Sequence, residues 1–186
     1  MASNFENALS FVLGSEGGKS NHPKDRGGKT NMGITAGTLA RARKAGIVAQ
    51  ADVYLLTRAE AAAIYQAFYW GPCRAEKMPW PLCALHFDAA VNHGVGGAGK
   101  LLQRSLNKYG KAGLVVDGSI GPVTLSALRM LTDSGDSAWL PEFCAVYLDE
   151  REELFNRIVK NNPSQQVFLG GWMNRVAKNR RLTGVA

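Results

Sequence analysis

Apolar residues along this chain recur at helical spacing, and no stretch is rich in strand pattern. Phe5, Ala8, Leu9, Val12 and Leu13 stand at i, i+3, i+4, i+7 and i+8, the mark of an amphipathic helix. Ser3 and Glu6 have capping-box spacing at its start, and Gly17-Gly18 ends it. Residues 18–34 are rich in Gly, Asn, Lys, Asp and Pro and read as a loop or short hairpin. A second helix is expected over 36–44, stopping at Gly46. Thr57 and Glu60 form another capping box before AAAIYQAFYW, which Gly71-Pro72 terminates. LCALHFDAAVNHG reads as a buried helix ending at Gly94. Further helices are expected over about 97–109, from Pro122 at a first helical position, over about 138–159, and over about 164–181. The class predicted is mainly α, with at most a small sheet near residues 18–34.

Composition narrows the function. The 186 residues are 46% hydrophobic, enough for one domain or a domain with a small appendage. No run approaches the ~20 apolar residues of a membrane span. Cys73, Cys83 and Cys144 lie in apolar surroundings and read as buried free thiols. With His22, His86 and His93 they form no zinc pattern, so no metal is expected. The net charge is +7, and no acid follows Glu153, whereas Arg157, Lys160, Arg175, Lys178, Arg180 and Arg181 do. Such a surface suits an anionic partner. The motifs and basic helical stripe of nucleic-acid binders are missing, so no nucleic acid is expected. Gly94, Gly96 and Gly99 match G-x-G-x-x-G, but a helix precedes them and no βαβ unit surrounds them; they read as a tight turn between helices.

One acid stands out. Glu16 lies eleven residues after Phe5, close to three helical turns, on the face with Leu9 and Val12. Partial desolvation there favours the protonated form that a general acid needs. The pattern alone leaves an ordinary carboxylate at a helix end equally open. Gly17-Gly18 and Gly27-Gly28 permit turns and leave room for an extended ligand to approach the backbone. Asp25, Thr30 and Asn31 are short polar groups able to hold a water. Asp88 and Asn92 share a helix face, either as a buried polar pair or cap, or as hydrogen-bonding groups for a sugar. Tyr69, Trp70 and Trp80 read as core, with sugar stacking the alternative.

EGGKSNHPKDRGGKTNMGIT closely resembles the signature of the N-acetylmuramidases of glycoside hydrolase family 108. That signature runs E-G-G-Y, then P-x-D-x-G-G-x-T, then G-I-T. The matching residues are Glu16-Gly17-Gly18, Pro23, Asp25, Gly27-Gly28, Thr30 and Gly33-Ile34-Thr35. Lys19 departs from it, standing where an aromatic is usual. FENALSFVLGSEGG and FDAAVNHGVGGAGKLLQ look like the same family. VDGSIGPVTLSAL, residues 116–128, resembles the peptidoglycan-binding module that usually follows. A weaker similarity is to phage-type lysozymes, E-x8-D-x5-T. The Glu16–Asp25 spacing fits that pattern, and Thr30 comes one residue early.

The resemblance implies a lysozyme-like helical fold, with a muramidase region over 1–94 and a helical peptidoglycan-binding region over 95–186 packed into one unit. It implies hydrolysis of the β-1,4 bond between N-acetylmuramic acid and N-acetylglucosamine without a cofactor. Glu16 would protonate the leaving oxygen, Asp25 would position or activate water, and Thr30 would help hold it. Gly28, Asn31, Asp88 and Asn92 are the expected substrate-binding residues. Carboxylates about 6.5–9.5 Å apart would give inversion. Peptidoglycan is the expected partner of a monomer, and the basic C-terminal helix reads as packed on the body of the protein, with an anionic outer-membrane or lipid surface as the alternative. The N-terminus is a poor signal peptide, so synthesis in a host cytoplasm and release across the inner membrane are expected, as for an endolysin. The alternatives are a prophage or bacterial muramidase aiding secretion, a lytic transglycosylase and a non-catalytic wall binder.

Overall fold

The computed structural model describes residues 2–14 and 29–185. It is mainly α. Helix α1 (Asn4–Leu13) is opened by Ser3, whose Oγ accepts the Glu6 N–H at 3.2 Å. Only this half of the expected capping box forms among the described residues. Ala8, Leu9 and Val12 are fully buried, as their spacing predicts. Burial of a side chain the size of Leu or Val contributes roughly 1.5–3 kcal/mol.

The small sheet is a hairpin, β1 (Thr30–Asn31) with β2 (Ile34–Thr35), in register Thr30 to Thr35 and Asn31 to Ile34. Its turn residues Met32 and Gly33 both have positive φ, 49° and 72°, as a two-residue hairpin turn of the primed type requires. The Tyr65 hydroxyl donates to the Met32 carbonyl at 3.0 Å and pins the turn. Thr35 then caps α2 (Ala36–Lys44).

Helix α3 (Arg58–Tyr65) begins with the complete Thr57–Glu60 capping box. The expected α-helix over AAAIYQAFYW changes character after Tyr65. Residues Gln66–Trp70 form a π-helical turn, closed by the Gly71 N–H on the Gln66 carbonyl at 3.0 Å. The Trp70 and Tyr65 rings both meet Phe87 edge-on, at 5.4 and 6.0 Å. Trp70 is therefore core; Tyr69 and Trp80 are half-buried.

Helix α4 (Leu82–His93) is buried from Leu82 to Ala90. Helices α1, α5 (Val95–Gly110) and α7 (Trp139–Asn161) pack against it, and α8 (Gln166–Thr183) packs along α7. Helix α6 (Pro122–Thr132) leans on α5 and opens with Pro122 as expected. Within α4, burial lowers the His86 pKa to about 4. The ring is held between the Tyr147 hydroxyl at 3.0 Å and the Cys73 carbonyl at 3.1 Å. All three cysteines are buried and free. No helix of the described residues is long and apolar enough to cross a membrane.

The glycine-rich stretch does more than turn the chain. Gly94 alone makes the α4–α5 corner, at φ 77°, and α5 starts at once, two residues earlier than its sequence suggests. The later glycines admit the 117–119 loop. A Cβ on Gly99 would lie 2.1 Å from the Gly118 carbonyl oxygen, and one on Gly118 would lie 2.6 Å from that of Gly96. Gln103 locks the contact. Its amide donates to Asp117 Oδ1 at 2.8 Å and to the Ser119 carbonyl at 3.1 Å, and its Oε1 accepts the Gly118 N–H at 2.7 Å. The clash at Gly99 is with backbone, which cannot rotate away. Gly99→Ala is therefore expected to lose about 3 kcal/mol of stability. A thermal melt should show the midpoint down by roughly 10 °C; an unchanged midpoint would mean the loop is not held there.

Candidate active site

Glu16, Asp25 and Gly28 lie outside the described residues, and the site is built from what flanks them. On one side the segment leaves Gly14, at the end of α1, two residues before Glu16. On the other it returns at Lys29 to the hairpin. Thr30 is half-buried in β1. Asn31 is buried, and its side-chain amide donates to the Val53 carbonyl at 3.0 Å, a bond that ties the hairpin to the short 3-10 turn Val53–Leu55. Asn31 thus has a structural partner already.

Gly14 borders a cleft of about 260 Å³. The other described residues around it are Asn92 from the end of α4 and Gly171, Trp172, Asn174, Arg175 and Lys178 from α8. Of the expected substrate-binding residues that are described, Asn31, Asp88 and Asn92, only Asn92 borders this cleft. Thr30 and Asn31 do not.

Asp88, one turn before Asn92, points inward. It is 0% exposed. Its Oδ2 accepts from Arg151 Nη1 at 2.7 Å and from the Asn179 amide at 3.1 Å, and Arg175 Nη2 lies 2.9 Å from its Oδ1. Burial alone would raise the Asp88 carboxyl. The Arg151 and Arg175 guanidiniums and their hydrogen bonds outweigh it and hold the group below the usual carboxylate range. Of the two roles that its spacing with Asn92 allowed, the carboxylate takes the buried polar one, and it is oriented toward α7 and α8 rather than the cleft.

A stack of rings backs this cluster. His93 lies 4.9 Å from Phe155, which stacks on Trp172 at 4.8 Å and 13°. Burial, then the neighbouring Arg151 charge, lowers the His93 pKa to about 3, so its Nε2 is free to accept from Arg151 Nε at 3.4 Å. Among the described residues no group of three or more His, Cys, Asp or Glu could hold a metal ion.

Sequence reasoning did not single out Trp172, Asn174, Arg175 or Lys178 for the site. A signal was present: Gly171, Asn174, Arg175 and Lys178 stand at i, i+3, i+4 and i+7, one polar stripe along α8.

Residues 9–94 match the family model described as Glycosyl hydrolase 108, and residues 97–177 match that described as Predicted Peptidoglycan domain. A search of curated proteins returns no match. Among solved structures, the chain is similar to one titled "Structure of Brucella abortus SagA". The two are 32% identical, with a TM-score of 0.73 over 96% of this chain and 92% of the other. The chain belongs to the glycosyl hydrolase 108 family. Membership makes it a glycoside hydrolase acting on peptidoglycan, with the lysozyme-like, mainly helical fold that the resemblance implied. The model matched over 9–94 spans Glu16, Asp25, Thr30, Asp88 and Asn92, and the model matched over 97–177 spans all the α8 residues at the cleft except Lys178, which follows it by one residue.

Proposed function

We propose that this protein hydrolyses the β-1,4 bond between N-acetylmuramic acid and N-acetylglucosamine. Glu16 is the general acid, and Asp25 positions or activates the water with help from Thr30. The observation that carries this reading is the acid-glycine motif from Glu16 to Thr35, inside the segment matched by the glycosyl hydrolase 108 model. The cleft beside Gly14 supports it, because Glu16 follows two residues later. Glu16 protonates the leaving oxygen, and the carboxylate of Asp25 stabilises the developing oxocarbenium charge. Asn92 offers an amide to a sugar N-acetyl group.

We further propose that the protein works as a monomeric phage endolysin, made in the host cytoplasm and acting on the wall after release across the inner membrane. We read α8 as a packed helix rather than a lipid-seeking one. Arg180 Nη2 lies 2.6 Å from Asp149 and 3.0 Å from Glu152, and Arg175 is turned to Asp88. Mass spectrometry of muropeptides released from purified peptidoglycan tests the bond and the reaction class. Products with a reducing N-acetylmuramic acid end are expected. Anhydro-muramic ends would make the enzyme a lytic transglycosylase, and reducing N-acetylglucosamine ends would move the cut to the other bond.

A further inference from the structure

A groove runs between α6 and the loop that follows α5. It consists of two hollows, of about 490 and 360 Å³, which share Ala112, Leu114 and Val123 and so form one continuous depression. Leu106, Leu114, Ala127 and Leu131 give the first hollow aliphatic walls, and Val115, Val123 and Met130 are large apolar side chains left exposed along the groove. Apolar walls with a few convergent polar groups are the usual form of a ligand site.

The polar groups here are of three kinds. Lys111 borders the first hollow; it is exposed, and it has no hydrogen-bond or ion-pair partner among the described residues. Asp117 borders the second. The Gln103 amide and the Ser119 N–H, each at 2.8 Å, hold its carboxyl below the usual carboxylate range, so it is charged at neutral pH. Both bonds fall on Oδ1, and Oδ2 of this exposed residue carries neither. Between the two charges the loop offers main chain. Residues 112–116 form neither helix nor strand. The Asn107 side chain takes the Leu114 N–H at 2.7 Å and the Leu114 carbonyl at 2.8 Å, which fixes the loop against α5. The exposed N–H and C=O groups of Ala112, Gly113 and Val115 have no partner among the described residues and are open to a ligand's backbone.

An aliphatic hollow, open main chain, a cation and an anion together match a short peptide with methyl side chains, a carboxylate and an amine. Main-chain bonds supply affinity in such recognition, and pockets and charges supply specificity. We infer that the groove between the 111–121 loop and α6 binds the peptide arm of peptidoglycan, with a peptide carboxylate on Lys111, the amine of its diamino acid on Asp117 and its alanine methyls against Leu114 and Ala127. The segment matched by the Predicted Peptidoglycan domain model, 97–177, contains every residue of the groove named here. A bare glycan strand suits it less, because its N-acetyl and hydroxyl groups offer Asp117 no amine. The inference rests on peptidoglycan as the substrate and not on which of its bonds is cut.

The test titrates the full-length wild-type chain, isotope-labelled for amide NMR, with peptide released from purified peptidoglycan by an amidase. This probe has no glycosidic bond, so its binding is independent of the muramidase reading, whose failure would appear only in the muropeptide masses. Shifts are expected at residues 111–119 and along α6. Lys111→Glu and Ser126→Trp both alter exposed positions on the groove and should leave the melting curve unchanged. Each is expected to weaken peptide binding about tenfold, the first by repelling the carboxylate and the second by filling the hollow. Acetylating the diamino-acid amine of the probe should weaken its binding to the wild type, by removing the partner of Asp117. No shifts in the groove, or peptide affinity unchanged in both variants, overturns the inference. So does an equal response of the groove to the peptide-free disaccharide of N-acetylglucosamine and N-acetylmuramic acid, which would make it a glycan site.

Discussion

Glu16→Gln is expected to lower reducing-end release from peptidoglycan by roughly a thousandfold or more while the melting curve stays that of the wild type. Glutamine keeps the shape and hydrogen-bonding reach of the side chain and removes the proton that the leaving oxygen must receive. The family model covers this position, and the chain reaches it two residues after the cleft-bordering Gly14. A purely structural glutamate would show the reverse pattern, a shifted melt with activity per folded molecule retained. Near wild-type lysis by this variant would remove Glu16 from the mechanism and require another carboxylate to act as the acid.

Asp88→Asn is expected to be the most destabilising single-atom change in the described core, by about 3–5 kcal/mol. It leaves two guanidiniums, Arg151 wholly buried and Arg175 nearly so, facing a neutral amide. Denaturant or thermal unfolding at pH 7 would read the loss directly. The pH dependence identifies its cause. The Asp88 carboxyl is held low in the folded protein, so its contribution is fully present above the unfolded carboxylate range and fades as pH falls through the folded value. The gap between wild type and variant should hold from neutrality down to about pH 4 and narrow below it. A gap that persists undiminished in stronger acid would mean that shape, not charge, is what the site requires.

The parts of the fold that could be read from the sequence are those fixed by neighbours. Thr57 with Glu60 and Pro122 mark helix starts because capping depends on three or four consecutive residues. The π-helical turn over Gln66–Trp70 could not be read that way; the ring that Trp70 at its end packs against, Phe87, is on another helix. The glycines after Gly94 signalled a corner, but the need for Gly99 comes from Gly118, a loop away. Likewise the partners of Asp88 stand 63, 87 and 91 residues further on. Spacing on α4 showed that Asp88 and Asn92 share a face. It could not show that one turn of rise separates a buried ion cluster from the rim of a cleft. The Glu16–Thr35 motif was legible as an ordered set of residue types, and the α8 stripe was legible as a stripe. What the stripe faces is set only when α8 folds back along α7.

The Asp88–Arg175 pair joins two segments that separate family models describe, and this bears on inheritance. A tethered binding module can be exchanged between related genes at its linker with little consequence for the catalytic half. Here an exchange downstream of Gly94 would replace Arg151, Arg175 and Asn179 together, and with them every described partner of the Asp88 carboxylate. A crossover at that corner yields a folded product only when the incoming sequence brings matching cations in matching phase. The two segments are thus expected to be inherited as a unit rather than recombined at the corner.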